Sequence, residues 1–82
     1  MKQFYHDKPN VKLTKREIEI VSLIINEQTT KEMAQSLYIS IDTIKSHRKN
    51  IMSKLHVKNV AGIVREAFIQ NLIELNPMPV GA

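Results

Sequence analysis

Lys45 and Lys49 stand one helical turn apart with Ser46 between them, inside the stretch SIDTIKSHRKNIMSKL that runs from Ser40 to Leu55. Long cations separated by small hydroxyl side chains suit a polyanion. Lysine ammonium groups donate to phosphate oxygens or to guanine acceptors, and serines let a helix sit deep in a groove. From Asp42 to Lys58 the cations Lys45, Arg48, Lys49, Lys54 and Lys58 face Asp42 alone, so this segment carries the whole formal net charge of +4. Charge so localised fits nucleic acid better than diffuse stickiness, although by itself it leaves a solvated helix face equally open. Other chemistries have less in their favour. The chain has no cysteine, which excludes disulfides and thiolate metal or redox centres. His6, His47 and His56 lack a close ligand pair, no Ser/His/Asp arrangement or glycine-rich phosphate loop is visible, and the carboxylates are scattered. No catalytic residue, metal or cofactor is expected, and the chain is not read as an enzyme. Its apolar runs are too short to span a bilayer, and the polar start, Met1 to Asn10, lacks the apolar core of a signal peptide. A cytoplasmic protein without a membrane partner is expected.

Such side chains need a scaffold, and helix signals supply one. Thr14 with Glu17 three residues on forms a capping box, with Leu13 placed as a hydrophobic staple against Ile18. Ile20, Val21 and Ile24 then repeat at helical spacing, widened by Ile18, Leu23 and Ile25. This predicts a core helix over about 14–26, ending at Asn26-Glu27-Gln28. Thr29 and Glu32 form a second box for a helix over 30–37, where Met33, Ala34 and Leu37 face inward and small Ala34 allows close helix approach. Tyr38-Ile39-Ser40 breaks the pattern, and Tyr38 is expected to cover the turn rather than stack on a sugar. Ser40 caps a third helix over 41–55, and Asp42 suits its amino-terminal dipole. Ile44, Ile51 and Leu55 fall on one line with Ile41 and Met52 beside it. Asp42, Lys45, Ser46, Lys49 and Ser53 lie opposite.

After a break near His56, Val57 returns to the core and Asn59 caps a last helix over 60–73. Val60, Ile63, Val64 and Ala67 form its expected core stripe. Ala61, Phe68 and Leu72 widen the apolar arc, which fits either a contact between copies or a helix wrapped deeply by its own domain. Residues 1–12 read as a flexible arm, 13–73 as one small domain, and 74–82, with Pro77, Pro79 and Gly81, as a disordered tail. Four helices with a short turn between the second and third make an all-α helix-turn-helix domain. In that motif the second helix of the pair reads the major groove while the first crosses the backbone.

These residues also carry a family resemblance. Leu13-Thr14-x-Arg16-Glu17, Lys31-Glu32-Met33-Ala34, Leu37-x-Ile39-Ser40, Thr43-Ile44-Lys45-x-His47, Asn50-Ile51 and Lys54-Leu55-x-Val57 resemble the LuxR-type helix-turn-helix domain. That domain binds DNA in quorum-sensing regulators and in NarL/FixJ-type response regulators. The resemblance covers Leu13 to Ile73 and implies either a stand-alone GerE-like regulator or the carboxy-terminal domain of a longer one. It implies base contacts from Lys45, Ser46 and Lys49, and phosphate contacts from Thr30, Lys31, Ser40, Thr43, His47 and Asn50. It also implies a dimer contact through Ala61, Val64, Arg65 and Phe68. Two departures carry expectations of their own. Glu27 stands where many members have glycine, so the first helix is expected to end without a left-handed residue. Val60 and Gly62 replace the usual Arg and Glu or Gln, so the last helix is expected to start weakly.

The function expected is sequence-specific double-stranded DNA binding and regulation of transcription by a bacterial homodimer. RNA polymerase is a partner this class allows, and no small-molecule ligand is expected in this chain. Two other functions compete. One is a promoter-binding module like region 4 of a sigma factor, which the lack of a companion core-binding segment disfavours. The other is a truncated regulator acting by protein–protein interaction through its last helix.

Overall fold

The computed structural model describes residues 12–72. The arm expected over 1–12, save for Lys12, and the tail expected over 74–82 lie outside them. Four helices follow in chain order: α1 (Lys15–Ile25), α2 (Thr30–Leu37), α3 (Ile41–Leu55) and α4 (Val60–Ile69). Among the described residues there is no strand.

Each helix begins where a short polar side chain can accept from an amide that the first turn leaves unpaired. The Thr14 hydroxyl accepts from the Glu17 N–H at 3.0 Å, and a Glu17 carboxylate oxygen accepts from the Thr14 N–H at 2.9 Å. Thr29 and Glu32 repeat this reciprocal box at 3.1 and 2.8 Å. Ser40 Oγ accepts from the Thr43 N–H at 3.0 Å, and Asn59 Oδ1 from the Gly62 N–H at 3.0 Å.

The helix ends are equally uniform, and here the sequence misleads. Glu27, Tyr38, His56 and Asn71 all take positive φ, between 52° and 63°. The amide that follows each reaches back five residues: Gln28 to Leu23, Ile39 to Ala34, Val57 to Met52 and Leu72 to Ala67, at 3.0–3.1 Å. This is the Schellman closure that glycine usually serves. None of the four is glycine, so Glu27, Tyr38 and His56 each accept a left-handed cost of about 1 kcal/mol, and Asn71 a smaller one. The first helix therefore ends with a left-handed residue after all, supplied by Glu27. The offset is burial, since Ile39, Val57 and Leu72, each just past its turn, pack against the core. The same closure stops α4 at Ile69 instead of Ile73, because Asn71 turns the chain and Leu72 folds back.

Ile20, Val21 and Ile24 of α1, Met33 and Ala34 of α2, Ile44, Ile51 and Leu55 of α3, and Ile63 and Ala67 of α4 build one buried core. The stripe expected on α4 is rotated. Glu66 is 1% exposed while Val60 is 38% exposed and Val64 half-buried. A buried carboxylate requires partners. Gln70 Nε2 donates to Glu66 Oε1 at 2.6 Å, and Arg65 reaches Oε2 at 3.5 Å.

Gly62 also reads differently in three dimensions. A Cβ there would lie 2.5 Å from the Val57 Cβ. The missing side chain is what lets the first turn of α4 seat on Val57, and with the Asn59 cap the helix forms from Val60 onward. Tyr38, expected to cover the turn, covers nothing: it is 93% exposed.

Candidate nucleic-acid interface

The third helix separates two chemistries around its axis. Ile44, Ile51 and Leu55 are fully buried, whereas Asp42, Lys45, Ser46, Lys49 and Ser53 are all exposed. Lys45 and Lys49 form no ion pair with a described carboxylate. Two long cations and two small hydroxyls therefore share an open face, backed by an apolar line that fixes its orientation to the domain.

Arg48 and Lys54, counted with the same basic run, face elsewhere. At helical spacing they fall on either flank of the buried line, and each is used inward. Arg48 Nη1 donates to Thr30 Oγ1 of α2 at 3.1 Å, across 18 residues of sequence. Lys54 Nζ donates to Glu17 Oε1 of α1 at 2.8 Å, across 37 residues. The helix is thus tied on one side to the preceding helix and on the other to the first. The basic segment is a reading face of Lys45 and Lys49 plus two anchors, with Lys58 exposed in the loop beyond.

The Glu17 carboxylate does two jobs: it closes the α1 capping box and receives Lys54. Burial pushes its pKa up, but the Lys54 hydrogen bond, the Thr14 backbone N–H and the Lys54 charge together outweigh that and leave it below the ordinary 4.5. Glu17 is therefore ionised at neutral pH and holds Lys54 as a charged partner. Neither anchor was assigned from the sequence. The available signal was the flank position of Arg48 and Lys54 relative to Ile44, Ile51 and Leu55.

The phosphate candidates occupy two places. Ser40 and Thr43 sit at the amino terminus of α3, where Ser40 Oγ and Thr43 Oγ1 are 2.9 Å apart in a mutual hydrogen bond. Both are exposed, and the positive end of a helix dipole favours an anion at this point. Thr30 and Lys31 open α2, with Lys31 exposed and the Thr30 hydroxyl receiving Arg48. Asn50 is exposed and His47 half-buried, beside the reading face. The dimer candidates lie on one side of α4: Ala61, Arg65 and Phe68 are exposed at spacings of four and three, and Val64 lies half-buried next to them. Among the described residues, no group of three or more His, Cys, Asp or Glu is arranged to hold a metal ion. No described helix is long and apolar enough to cross a membrane.

Comparison with known proteins bears on this arrangement. The family model "Bacterial regulatory proteins, luxR family" matches residues 11–67. The chain is 43% identical over 63 residues to the spore germination protein GerE of Bacillus subtilis (strain 168), covering 77% of this chain and 85% of GerE. It is 49% identical over 51 residues to the transcriptional regulatory protein LiaR of the same organism, covering 62% of this chain and 24% of LiaR. The oxygen regulatory protein NreC of Staphylococcus aureus (strain JH9) is 39% identical over 62 residues, 76% of this chain and 29% of NreC. The chain thus spans most of GerE but under a third of LiaR or NreC. Among solved structures, the response regulator ChrA of a heme-sensing two-component system superposes with a TM-score of 0.74 at 38% identity, covering 80% of this chain and 33% of ChrA. On this evidence the chain belongs to the LuxR family of bacterial regulatory proteins, DNA-binding regulators of transcription that share its four-helix helix-turn-helix domain.

Proposed function

We propose that α3 enters the major groove of double-stranded DNA and reads sequence there, with Lys45, Ser46 and Lys49 against base edges. Ser40 and Thr43 at its amino terminus, Thr30 and Lys31 at the front of α2, and His47 and Asn50 beside the reading face hold phosphates. The observation that carries this reading is the open pair Lys45 and Lys49, exposed and without an ion pair to any described carboxylate, opposite a fully buried apolar line. Unpaired cations on a rigid helix can meet phosphate or guanine without first breaking an internal ion pair. The anchors to Thr30 and Glu17 support it, because a groove-reading helix must keep its angle to the domain.

Two copies bind together in this reading, joined through Ala61, Val64, Arg65 and Phe68 of α4. Their half-sites then lie about one helical turn, ~34–36 Å, apart. Transcription is regulated in the bacterial cytoplasm according to where such paired sites fall relative to a promoter.

Gel shifts on fragments of the source genome test this. The parent chain should select a subset of fragments and release them as salt rises, since each neutralised phosphate adds a salt-dependent term. Lys45→Ala/Lys49→Ala should weaken the selected complexes on the order of 10- to 100-fold while melting at the parent's temperature. Binding that ignores salt, or that survives the double replacement, would sink the assignment.

A further inference from the structure

We infer that Tyr38 contacts the DNA backbone, its hydroxyl donating to a phosphate and its ring resting on deoxyribose beside the amino terminus of α3. The inference rests on the groove-reading role proposed for α3.

The fold gains little from this side chain. Tyr38 is 93% exposed, so a ring that usually contributes a large buried area contributes almost none here. Its backbone is left-handed, with φ 58° and ψ 42°, a conformation that glycine or asparagine takes at lower cost. The other left-handed positions hold Glu27, His56 and Asn71, all polar side chains suited to water. Tyr38 alone among the four combines backbone strain with a large apolar surface left in solvent. Burial of Ile39 offsets the strain of the turn, but glycine or asparagine would secure that burial as well, so the exposed ring itself is left without a packing role and points to function.

Its position says which function. Ile39 returns to the core and Ser40 caps α3, so the chain passes from Tyr38 to the phosphate-facing end of α3 within two residues. That is at most ~7 Å of backbone. A phosphate held at Ser40 and Thr43 therefore lies within reach of the phenol, as does a neighbour on the same strand. Tyrosine is suited to this place: it donates one hydrogen bond to a phosphate and offers an apolar ring to the sugar. Such a contact carries no base information, so it should strengthen all duplexes alike.

Tyr5 and Tyr38 are the two tyrosines, and there is no tryptophan. The full chain carrying Tyr5→Phe thus reports Tyr38 fluorescence alone. A random-sequence duplex serves as the probe. Titration should shield Tyr38 from acrylamide. In the parent background, Tyr38→Gly should weaken binding several-fold, equally on the random duplex and on selected genomic fragments. The same variant should melt at or above the parent's temperature, which separates lost contact from lost folding. Tyr38→Phe should fall between the two.

Tyr38→Gly binding as tightly as the parent, with Tyr38 fluorescence unmoved by duplex, would overturn the inference. If Lys45→Ala/Lys49→Ala weakens binding in the same series, only the Tyr38 contact falls. If that pair also binds like the parent, the reading of α3 fails and takes the Tyr38 contact with it. A Tyr38→Gly chain that keeps full DNA affinity but loses RNA polymerase in a binding assay would make Tyr38 a protein contact instead, against the inference.

Discussion

Helices α3 and α4 rest on the same core and turn opposite chemistries outward. The open side of α3 carries Lys45, Ser46 and Lys49, whereas α4 leaves Val60, Phe68 and Ile69 between 38% and 48% exposed. They are also seated by different means. Long polar side chains, Arg48 and Lys54, hold α3 to the other helices from its two flanks. A missing side chain, at Gly62, lets α4 close on Val57. A helix fixed by polar tethers can spend its exposed positions on charge. A helix fixed by close contact is left with a more apolar exterior, which suits another protein surface and, in the proposed reading, a second copy. The proposed roles follow this difference, with the polyanion at α3 and self-association at α4.

The division can be broken most forcefully at Gly62. Adding a methyl group there drives it into Val57, and overpacking of this kind costs about 1–3 kcal/mol. Gly62→Ala should lower the unfolding free energy measured in urea by that amount and impair paired-site binding more than single-site binding, because α4 is what shifts. Phe68→Asp comes next. It should leave the melting temperature nearly unchanged, since Phe68 is 48% exposed. It should also reduce affinity for paired half-sites about tenfold, the equivalent of ~1.4 kcal/mol, with single half-sites unaffected. Equal loss on both would place Phe68 on the DNA side of the comparison.

The smallest effect concerns an anchor. Glu17→Gln keeps the shape of the α1 cap but loses the charge that receives Lys54, and should cost about 1 kcal/mol at neutral pH. Because folding lowers the Glu17 pKa below 4.5, the native state favours the ionised form. That contribution is fully present above the ordinary value and is lost as pH falls through the lowered folded value. Parent and Glu17→Gln should therefore differ in urea stability at neutral pH and converge as the pH falls through the lowered folded value. A constant difference across that range would mean that the charge contributes nothing.

Local features of this architecture are legible in the sequence. Thr14, Thr29, Ser40 and Asn59 announce the helix starts because capping joins residues three apart. Lys45, Ser46 and Lys49 declare an outward face because Ile44, Ile51 and Leu55 declare the inward one. What escapes is set by distant partners. No glycine marks the left-handed helix ends, which are compensated by burying Ile39, Val57 and Leu72 against other helices. The burial of Glu66 is set by Gln70 and Arg65 around it, and the apolar periodicity of α4 gives no sign of it. The basic run from Lys45 to Lys58 looks like one patch because nothing near Arg48 or Lys54 in sequence reveals Thr30 or Glu17. Gly62 reads as a weak helix start because the cost of a side chain there arises from Val57, across the turn.

The central claim is that the outward face of α3 distinguishes bases, and the most direct measurement is a specificity ratio. Affinity for the tightest genomic fragment, divided by affinity for a random duplex at the same salt, is compared between the parent and Lys45→Ala/Lys49→Ala. Base contacts contribute discrimination of ~1–3 kcal/mol each, so the ratio should fall at least about tenfold on double replacement. A ratio that stays at the parent's value while both affinities drop together would contradict the account and reduce Lys45 and Lys49 to phosphate contacts.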